Sequence, residues 1–252
     1  ALVDVLARGD VWRGDTLAAL PETTIPSGHA ELDAELPGGG WPRGNLTEIL
    51  IDRGGVGEMS LLLPALARLS ADGGWLALVA PPWQAHAPAW AAAGVALERL
   101  VVVHAGRQIG WCVEQLLACG GFAGVLAWPE AGIDARTLRR LQVAAEGRPV
   151  FACLWRPTVA FKAPSPAPLR VALAAGESGL SVRIVKRRGR PVSGPLALPF
   201  LVLLPLPGEI RVLWLALHFP LLPIEALPLR QPPSAIVARG RVQVADAEAE
   251  AA

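Results

Sequence analysis

The chain has 252 residues, of which 52% are hydrophobic and only 18% charged, with 23 basic residues against 22 acidic ones. This length can bury the core of one α/β domain and a small appendage. A net charge of +1 provides no overall attraction to nucleic acid or to a membrane, so either kind of binding would need a local patch.

The pattern of apolar residues changes twice along the chain. Apolar positions at helical spacing predict an N-terminal helical arm over residues 1–24, and a turn-rich stretch continues to residue 45. Strands and helices then alternate, which is typical of βαβ units and predicts an α/β fold with a mainly parallel sheet flanked by helices. The predicted strands are 45–51, 74–80, 100–104, 122–128 and 149–155, and the predicted helices are 58–71, 85–94, 108–119 and 134–146.

The last third of the chain predicts an antiparallel C-terminal extension. Residues 168–174 and 180–187 have strand patterns and are joined by the hairpin turn AGESG. Residues 196–210 are predicted to be a Pro-rich connector, and residues 211–252 are predicted to begin with a further strand and to end in an acidic tail. Prolines interrupt the apolar run into pieces shorter than the roughly 20 residues that a membrane span needs.

The segment after the first core strand has the outline of a phosphate-binding loop. Such a loop requires a glycine, four further residues, a second glycine, a lysine, and a serine or threonine. With Gly57 as the second glycine, Asp52 stands at the first glycine, Glu58 at the lysine and Met59 at the hydroxyl that binds magnesium. Methionine is a poor ligand for magnesium, which prefers oxygen.

We therefore predict a degenerate nucleotide site. At about 4 Å and an effective dielectric constant of about 20, one charge pair contributes about 4 kcal/mol, so replacing a cation by Glu58 removes useful phosphate affinity. Gly54 and Gly55 keep the role of a flexible turn. Two alternatives remain: weak residual nucleotide binding, and a new acidic metal site formed by Asp52, Glu58 and Glu130.

No other catalytic or metal-binding pattern is visible. The three cysteines, Cys112, Cys119 and Cys153, lack the spacing of zinc ligands and favour buried free thiols in a cytoplasmic protein. The histidines are scattered, without a partner at the spacing of a catalytic triad. We predict no catalytic residue, no metal and no cofactor.

Residues 25–49, IPSGHAELDAELPGGGWPRGNLTEI, carry a family resemblance. The stretch resembles the lead-in to the ATP loop of RecA recombinases, which has a Ser-Gly pair, a Leu-Asp pair, glycines and a Pro-x-Gly before the first core strand. The matching positions here are Ser27-Gly28, Leu32-Asp33, Gly39-Gly40 and Pro42-Arg43-Gly44. The order of elements also follows that core, so the resemblance implies a RecA-like P-loop NTPase core over residues 25–195.

Within the RecA-like group, residues 124–146 and 181–191 are similar to the ImuA accessory proteins of translesion synthesis and, more distantly, to the SulA cell-division inhibitors. Residues 211–252 resemble the first strand of ImuB, a partner related to the Y-family polymerases. This segment lacks a carboxylate before Glu225, so it cannot supply the catalytic aspartate of those polymerases.

The resemblance also implies that ATP hydrolysis has been lost. The RecA pattern places Pro82 at the water-activating glutamate, Trp128 at the strand-end aspartate that helps to hold magnesium, and Leu154 and Trp155 near the polar sensor. We expect a non-catalytic adaptor in SOS-induced translesion DNA synthesis that binds RecA, an ImuB-type partner and a replicative-type translesion polymerase. The alternatives are a SulA-like inhibitor that binds FtsZ and a divergent DNA-dependent ATPase.

Two groups of residues are candidates for partner binding. A basic cluster near the end of the core consists of Arg183, Lys186, Arg187, Arg188 and Arg190. The resemblance implies that Lys186 and Arg188 reach the nucleotide of a neighbouring subunit, which here would be RecA. The alternatives are a solvated edge strand and weak contact with DNA phosphates, although the segment lacks the interleaved aromatic residues of a single-strand groove.

Seven of the nine tryptophans fall into two sets. Apolar surroundings predict that Trp75, Trp111 and Trp155 belong to the core. Loop or polar surroundings predict exposure and a possible interface for a second set, which comprises Trp12, Trp41, Trp83 and Trp90. Trp41 is the preferred anchor for a partner.

Overall fold

The structure is a computed structural model that describes residues 23–129, 132–177, 179–188 and 194–199. The predicted helices of the N-terminal arm, the strand at 211–217 and the acidic tail lie outside the described residues. So do Glu130 of the proposed acidic metal site and Arg190 of the basic cluster.

Ten strands lie within the described residues. A short two-stranded ladder pairs β1 with β2, and the other eight strands form one sheet in the order β10-β9-β8-β3-β7-β6-β4-β5. The strands are β1 (Thr24–Ile25), β2 (Trp41–Pro42), β3 (Asn45–Leu50), β4 (Trp75–Val79), β5 (Leu100–Val103), β6 (Phe122–Ala127), β7 (Phe151–Arg156), β8 (Leu169–Ala175), β9 (Gly179–Lys186) and β10 (Leu196–Pro199).

The main sheet is mostly parallel, as predicted. Six neighbouring strands pair in parallel, in the order β8-β3-β7-β6-β4-β5. β9 pairs antiparallel with β8 on one side and with β10 on the other. The predicted strands from β3 to β9 are confirmed with small differences at their ends. β10 corrects the sequence interpretation, because Leu196–Pro199 belongs to the sheet and was predicted to be part of a connector.

The described helices are α1 (Ala30–Glu35), α2 (Leu63–Ala71), α3 (Ala87–Ala92), α4 (Ile109–Ala118) and α5 (Ala135–Ala145). Helix α2 begins later than predicted because Glu58–Leu61 forms a 3-10 turn. Pro64 follows in the first turn of α2, where its missing N–H leaves no hydrogen bond unmade. Asp134 caps α5 by accepting the Thr137 N–H at 2.8 Å.

Each face of the sheet carries an apolar core, because successive side chains of a strand point to opposite faces. One core contains α2, α3 and side chains such as Ile49, Leu78 and Trp155. The other contains α4, α5 and side chains such as Leu46 and Leu154. Among the described residues, no helix is long and apolar enough to cross a membrane.

The prediction that Trp41 is exposed is wrong. Its side chain is 0% exposed in β2, and its indole packs at a tilt against Phe151 with 6.0 Å between ring centroids. Trp90 is also buried. Trp41 therefore stabilises the core of this chain and presents no surface to a partner.

Two other tryptophans were predicted to be core and are instead exposed. Trp75 is 40% exposed and lies against the Arg99 guanidinium, and Trp111 is 50% exposed. Both occupy positions where an element has one face toward solvent, so an apolar sequence context did not determine burial. Trp155 is buried and Trp83 is exposed, as predicted.

Candidate functional site

The glycine-rich loop after β3, residues 52–59, lies at the carboxyl edge of the parallel strands. Open α/β sheets bind their ligands at this edge. The loop follows β3, which lies inside the sheet between β7 and β8. The ends of β4, β6 and β7 lie at the same edge, so they place the residues after Val79, after Ala127 and around Arg156 near the loop.

The loop folds around the carboxylate of Glu58. The Gly55 N–H donates to both carboxylate oxygens at 3.0 Å, and the Val56 N–H donates to one of them at 2.9 Å. Gly55 and Gly57 have φ angles of 87° and 84°, in the left-handed region that glycine adopts without strain. We call the Gly55–Glu58 arrangement the Glu58 nest, because successive backbone N–H groups form a concave site for an anion.

The remaining loop residues are also engaged with neighbouring groups. The Asp52 carboxylate accepts a hydrogen bond from the Thr158 hydroxyl. The Ser60 hydroxyl, next to the magnesium-binding position of the loop pattern, donates to the Gly57 carbonyl at 2.6 Å. Met59 packs against the first core. A Cβ built on Gly54 would lie 3.3 Å from the Trp83 indole nitrogen, so this exposed indole lies against the loop.

Apolar rings occupy the ends of the neighbouring strands. Trp128 follows β6 and stacks on Trp155 of β7, with 5.8 Å between ring centroids and 7° between ring planes. Leu154 points to the opposite core, and Pro82 lies in an exposed turn after β4. The positions at which the RecA resemblance expects metal-binding and sensor groups thus carry side chains without a suitable polar atom.

These contacts bear on the alternative of an acidic metal site. Of its three carboxylates, Asp52 and Glu58 bond to Thr158 and to backbone N–H groups, and Glu130 lies outside the described residues. In the part of the chain that the structure describes, no three His, Cys, Asp or Glu side chains come together as metal ligands would.

A buried charged cluster near the loop was missed in the sequence. Glu48 of β3 is 0% exposed and accepts hydrogen bonds from three side chains. They are Arg156 of β7 at 3.0 Å, Arg170 of β8 at 2.7 Å and Ser165 at 2.6 Å. The available signal was a glutamate inside an apolar strand, since a buried carboxylate requires a partner.

The same cluster holds the connection between β7 and β8, which we call the strap (Thr158–Ser165). The Arg170 guanidinium donates to the carbonyls of Ala160 at 2.6 Å and Ala163 at 3.2 Å. The Lys186 ammonium donates to the carbonyl of Ser165 at 2.8 Å. Burial, followed by the charge of Arg170, lowers the pKa of Lys186, while the charge of Glu48 opposes this change.

The residues of the basic cluster predicted for partner binding differ in exposure, and Lys186 and Arg187 also bond to other parts of the chain. Arg187 bonds to the Glu35 carboxylate at 2.7 Å and to its carbonyl, with a guanidinium that is nearly buried, so it ties the end of β9 to α1. Arg183, Lys186 and Arg188 are exposed residues. β10 pairs only with Gly179–Val182, so the basic end of β9 extends beyond that ladder.

Comparison with known protein families finds a match over part of the chain. Residues 34–149 match the family model of the MT3502 N-terminal domain. This stretch is similar to that domain. It includes the Glu58 nest, Trp128 and Glu48, and it ends before β7, the strap and the basic cluster. No curated protein matches the chain.

Proposed function

We propose that the protein is a non-catalytic adaptor with a RecA-like P-loop core, acting in SOS-induced translesion DNA synthesis. The Glu58 nest is the observation that carries the non-catalytic part of this proposal. The backbone N–H groups that would receive a phosphate are bonded to a carboxylate of the same loop. A bound phosphate would have to displace this carboxylate and then tolerate its negative charge nearby.

The position of the loop supports a core derived from a nucleotide-binding protein. β3 lies in the interior of a mainly parallel sheet, and the glycine-rich turn after it leads into α2. Nucleotide-binding α/β proteins place their phosphate loop between a strand and a helix in this way. The Trp128–Trp155 stack occupies the neighbouring strand ends, where the RecA pattern has the magnesium-binding aspartate and the polar sensor. This supports the proposal that both groups have been lost.

The proposed partners are RecA, an ImuB-type protein and a replicative-type translesion polymerase. The exposed basic residues Arg183, Lys186 and Arg188 support contact with RecA. In the RecA-like filaments that the sequence resembles, residues matching Lys186 and Arg188 reach the nucleotide of the adjacent subunit. We propose that they contact the nucleotide of the last RecA subunit in a filament.

Binding of the purified protein to RecA filaments tests this proposal, with FtsZ measured in parallel. We expect binding to RecA, and we expect Arg188→Glu to weaken it at least tenfold. Arg139→Glu is the matched control, because Arg139 is an exposed arginine on α5 and undergoes the same charge change. We expect this control to bind as the wild type does.

Two results would contradict the proposal. Binding to FtsZ without binding to RecA would favour the SulA-like function, which shares the same non-catalytic core. DNA-stimulated ATP turnover by the wild-type protein, lost on substitution of the loop, would favour a divergent ATPase. Turnover is therefore measured in separate samples that contain ATP and DNA but no RecA, because RecA itself hydrolyses ATP on DNA.

A further inference from the structure

The strap carries two prominently exposed apolar side chains. Val159 is 77% exposed and Phe161 is 50% exposed, and Val159 is the most exposed large apolar side chain among the described residues. Thr158–Lys162 forms a 3-10 turn, in which Val159 and Phe161 lie on either side of the buried Ala160. An exposed apolar pair on one short segment is a common starting point for protein recognition.

The strap backbone is held by side chains beneath it. Arg170 donates to carbonyls of Ala160, Phe161 and Ala163, and Ser165 donates to the buried Glu48 carboxylate. Thr158 is fixed to Asp52 at the other end. A segment that is already fixed at both ends loses little conformational entropy when it binds a partner, so the loss reduces the binding free energy only slightly.

The charges around the strap are mainly positive. Lys162 is exposed on the strap itself, and the Lys186 ammonium bonds to the Ser165 carbonyl at its far end. Arg188 follows Lys186 by two residues and is exposed, and its charge contributes to the lowered pKa of Lys186. At the near end, the exposed Asp52 carboxylate, which accepts from the Thr158 hydroxyl, is followed in the chain by the exposed Arg53. The nearby Glu48 carboxylate is buried and paired.

We propose that the strap is a docking site for an acidic segment of a partner protein that carries apolar side chains. Val159 and Phe161 would bury the apolar side chains, while the surrounding cations would attract the acidic ones. This inference goes beyond the proposed function, since it names a surface and the chemistry of the bound segment and does not depend on the partner being RecA.

A protein segment suits this surface better than a single nucleic acid strand. Grooves for single strands stack successive bases on several aromatic rings. The strap has one exposed aromatic ring, Phe161, and the more exposed apolar side chain is the aliphatic Val159. Val159 cannot stack on a base, whereas it can enter an apolar pocket or groove of a protein.

Selection from a random peptide library displayed on phage tests the inference with the full-length chain. The library is selected on the wild-type protein and counter-selected on the double variant Val159→Ala/Phe161→Ala. We expect the enriched peptides to carry net negative charge and apolar side chains. An absence of peptides that distinguish the two proteins, or enrichment of neutral or basic peptides, would overturn the inference.

The affinity of one enriched peptide for protein variants then separates the contribution of the apolar side chains from that of the positive charge. We expect the double variant to bind it at least tenfold more weakly, and Lys162→Glu to weaken it and reduce its salt dependence. Val143→Ala is the matched control, because Val143 is a 62% exposed valine on α5. Unchanged melting temperatures would exclude unfolding, as expected for exposed positions.

Tighter binding of an oligo-dT strand than of any peptide, lost in Phe161→Ala, would overturn the inference in favour of nucleic acid.

The peptide selection and the RecA measurement can fail separately. Strap-dependent acidic peptides without RecA binding would support the docking site and contradict the proposed partner. RecA binding that is insensitive to Val159→Ala/Phe161→Ala, with no acidic peptides selected, would contradict the docking site alone.

Discussion

At the scale of single residues, Glu58 changes what the loop can bind. In a phosphate-binding loop the backbone N–H groups bind an anion that arrives from solution. Here the anion is covalently part of the loop, and its carboxylate bonds to Gly55 and Val56. An intramolecular ligand has a high effective concentration, so a free phosphate competes with it at a disadvantage.

Removal of this carboxylate should therefore open the loop to anions. We expect Glu58→Ala to bind pyrophosphate at least tenfold more tightly than the wild type, because the Gly55 and Val56 N–H groups lose their partner and a negative charge is removed. Isothermal titration calorimetry measures the difference. Glu98→Ala is the control, because Glu98 is an exposed glutamate away from the loop. Equal affinity in both variants would show that the nest does not control anion binding.

His29 should make stability depend on pH. Burial lowers its pKa below the ordinary value of 6.5, although the charge of Asp33 acts in the opposite direction. As pH falls below 6.5, the unfolded chain binds a proton at this position before the folded chain does. The free energy of unfolding should thus decrease, and the decrease should end once the pH has passed the lower pKa of the folded state.

Urea denaturation about one pH unit above and below 6.5 measures this effect. We expect His29→Asn to reduce the loss of stability at the lower pH. His86→Asn is a matched control, because His86 is an exposed histidine that precedes α3 as His29 precedes α1. The same pH dependence in both variants would exclude His29 as its source.

At the scale of secondary-structure elements, the Glu48 cluster joins β3, β7 and β8 to the strap. Glu48 is 0% exposed, and the side chains of Arg156 and Arg170 are 8% and 6% exposed. The removal of such charges from water is costly, and their mutual attraction offsets the cost only when every partner is present. The cluster therefore makes the position of the strap depend on the packing of three strands.

Loss of the central carboxylate should be strongly destabilising. Glu48→Ala leaves two buried guanidinium groups without their shared anion, and we expect it to lower the free energy of unfolding by about 3–5 kcal/mol. Glu114→Ala breaks the Arg140–Glu114 pair, whose side chains are 50% and 23% exposed, and should cost much less. Denaturant titration compares the two variants. A loss for Glu48→Ala no larger than that for Glu114→Ala would contradict this account.

Local sequence patterns predicted the elements whose apolar spacing is regular. Helices α2, α4 and α5 follow this rule, because their buried residues recur at helical spacing. The interior strands β3 and β7 were instead predicted from short apolar runs, which are buried on both faces of the sheet. β10 was missed because prolines surround it. Pro199 occupies the last position of β10, and a strand at the edge of a sheet tolerates a residue without an N–H.

Contacts between distant parts of the chain could not be predicted in this way. Trp41 is buried because Phe151 packs beside it, and Glu48 is paired because Arg156 and Arg170 lie on adjacent strands. The Glu58 nest is a local feature, yet it depends on backbone angles at two glycines that the loop pattern alone does not specify. The pattern predicts the loss of a lysine from this loop, but it does not predict that the Glu58 carboxylate bonds to the Gly55 and Val56 N–H groups.

At the scale of the whole molecule, the proposed function implies a particular stoichiometry. A RecA-like core that places basic residues on the nucleotide of a RecA subunit, and holds no nucleotide of its own, would occupy the end of a filament. The next RecA subunit would then find the Glu58 nest and the Trp128–Trp155 stack where it requires a nucleotide. Growth at that end should therefore stop.

We expect amounts far below that of RecA to shorten the filaments, with the amount required set by the number of filament ends. Intact and sheared filaments of equal RecA mass have the same total RecA but different numbers of ends, so comparing them shows which of the two sets the amount of protein required. Electron microscopy measures the filament lengths. Sheared samples should need more protein, and Arg188→Glu should be less effective than Arg139→Glu because only Arg188 belongs to the basic cluster, two residues beyond the end of β9. A requirement proportional to total RecA would indicate binding along the side of the filament, where the basic end of β9 has no exposed nucleotide to reach.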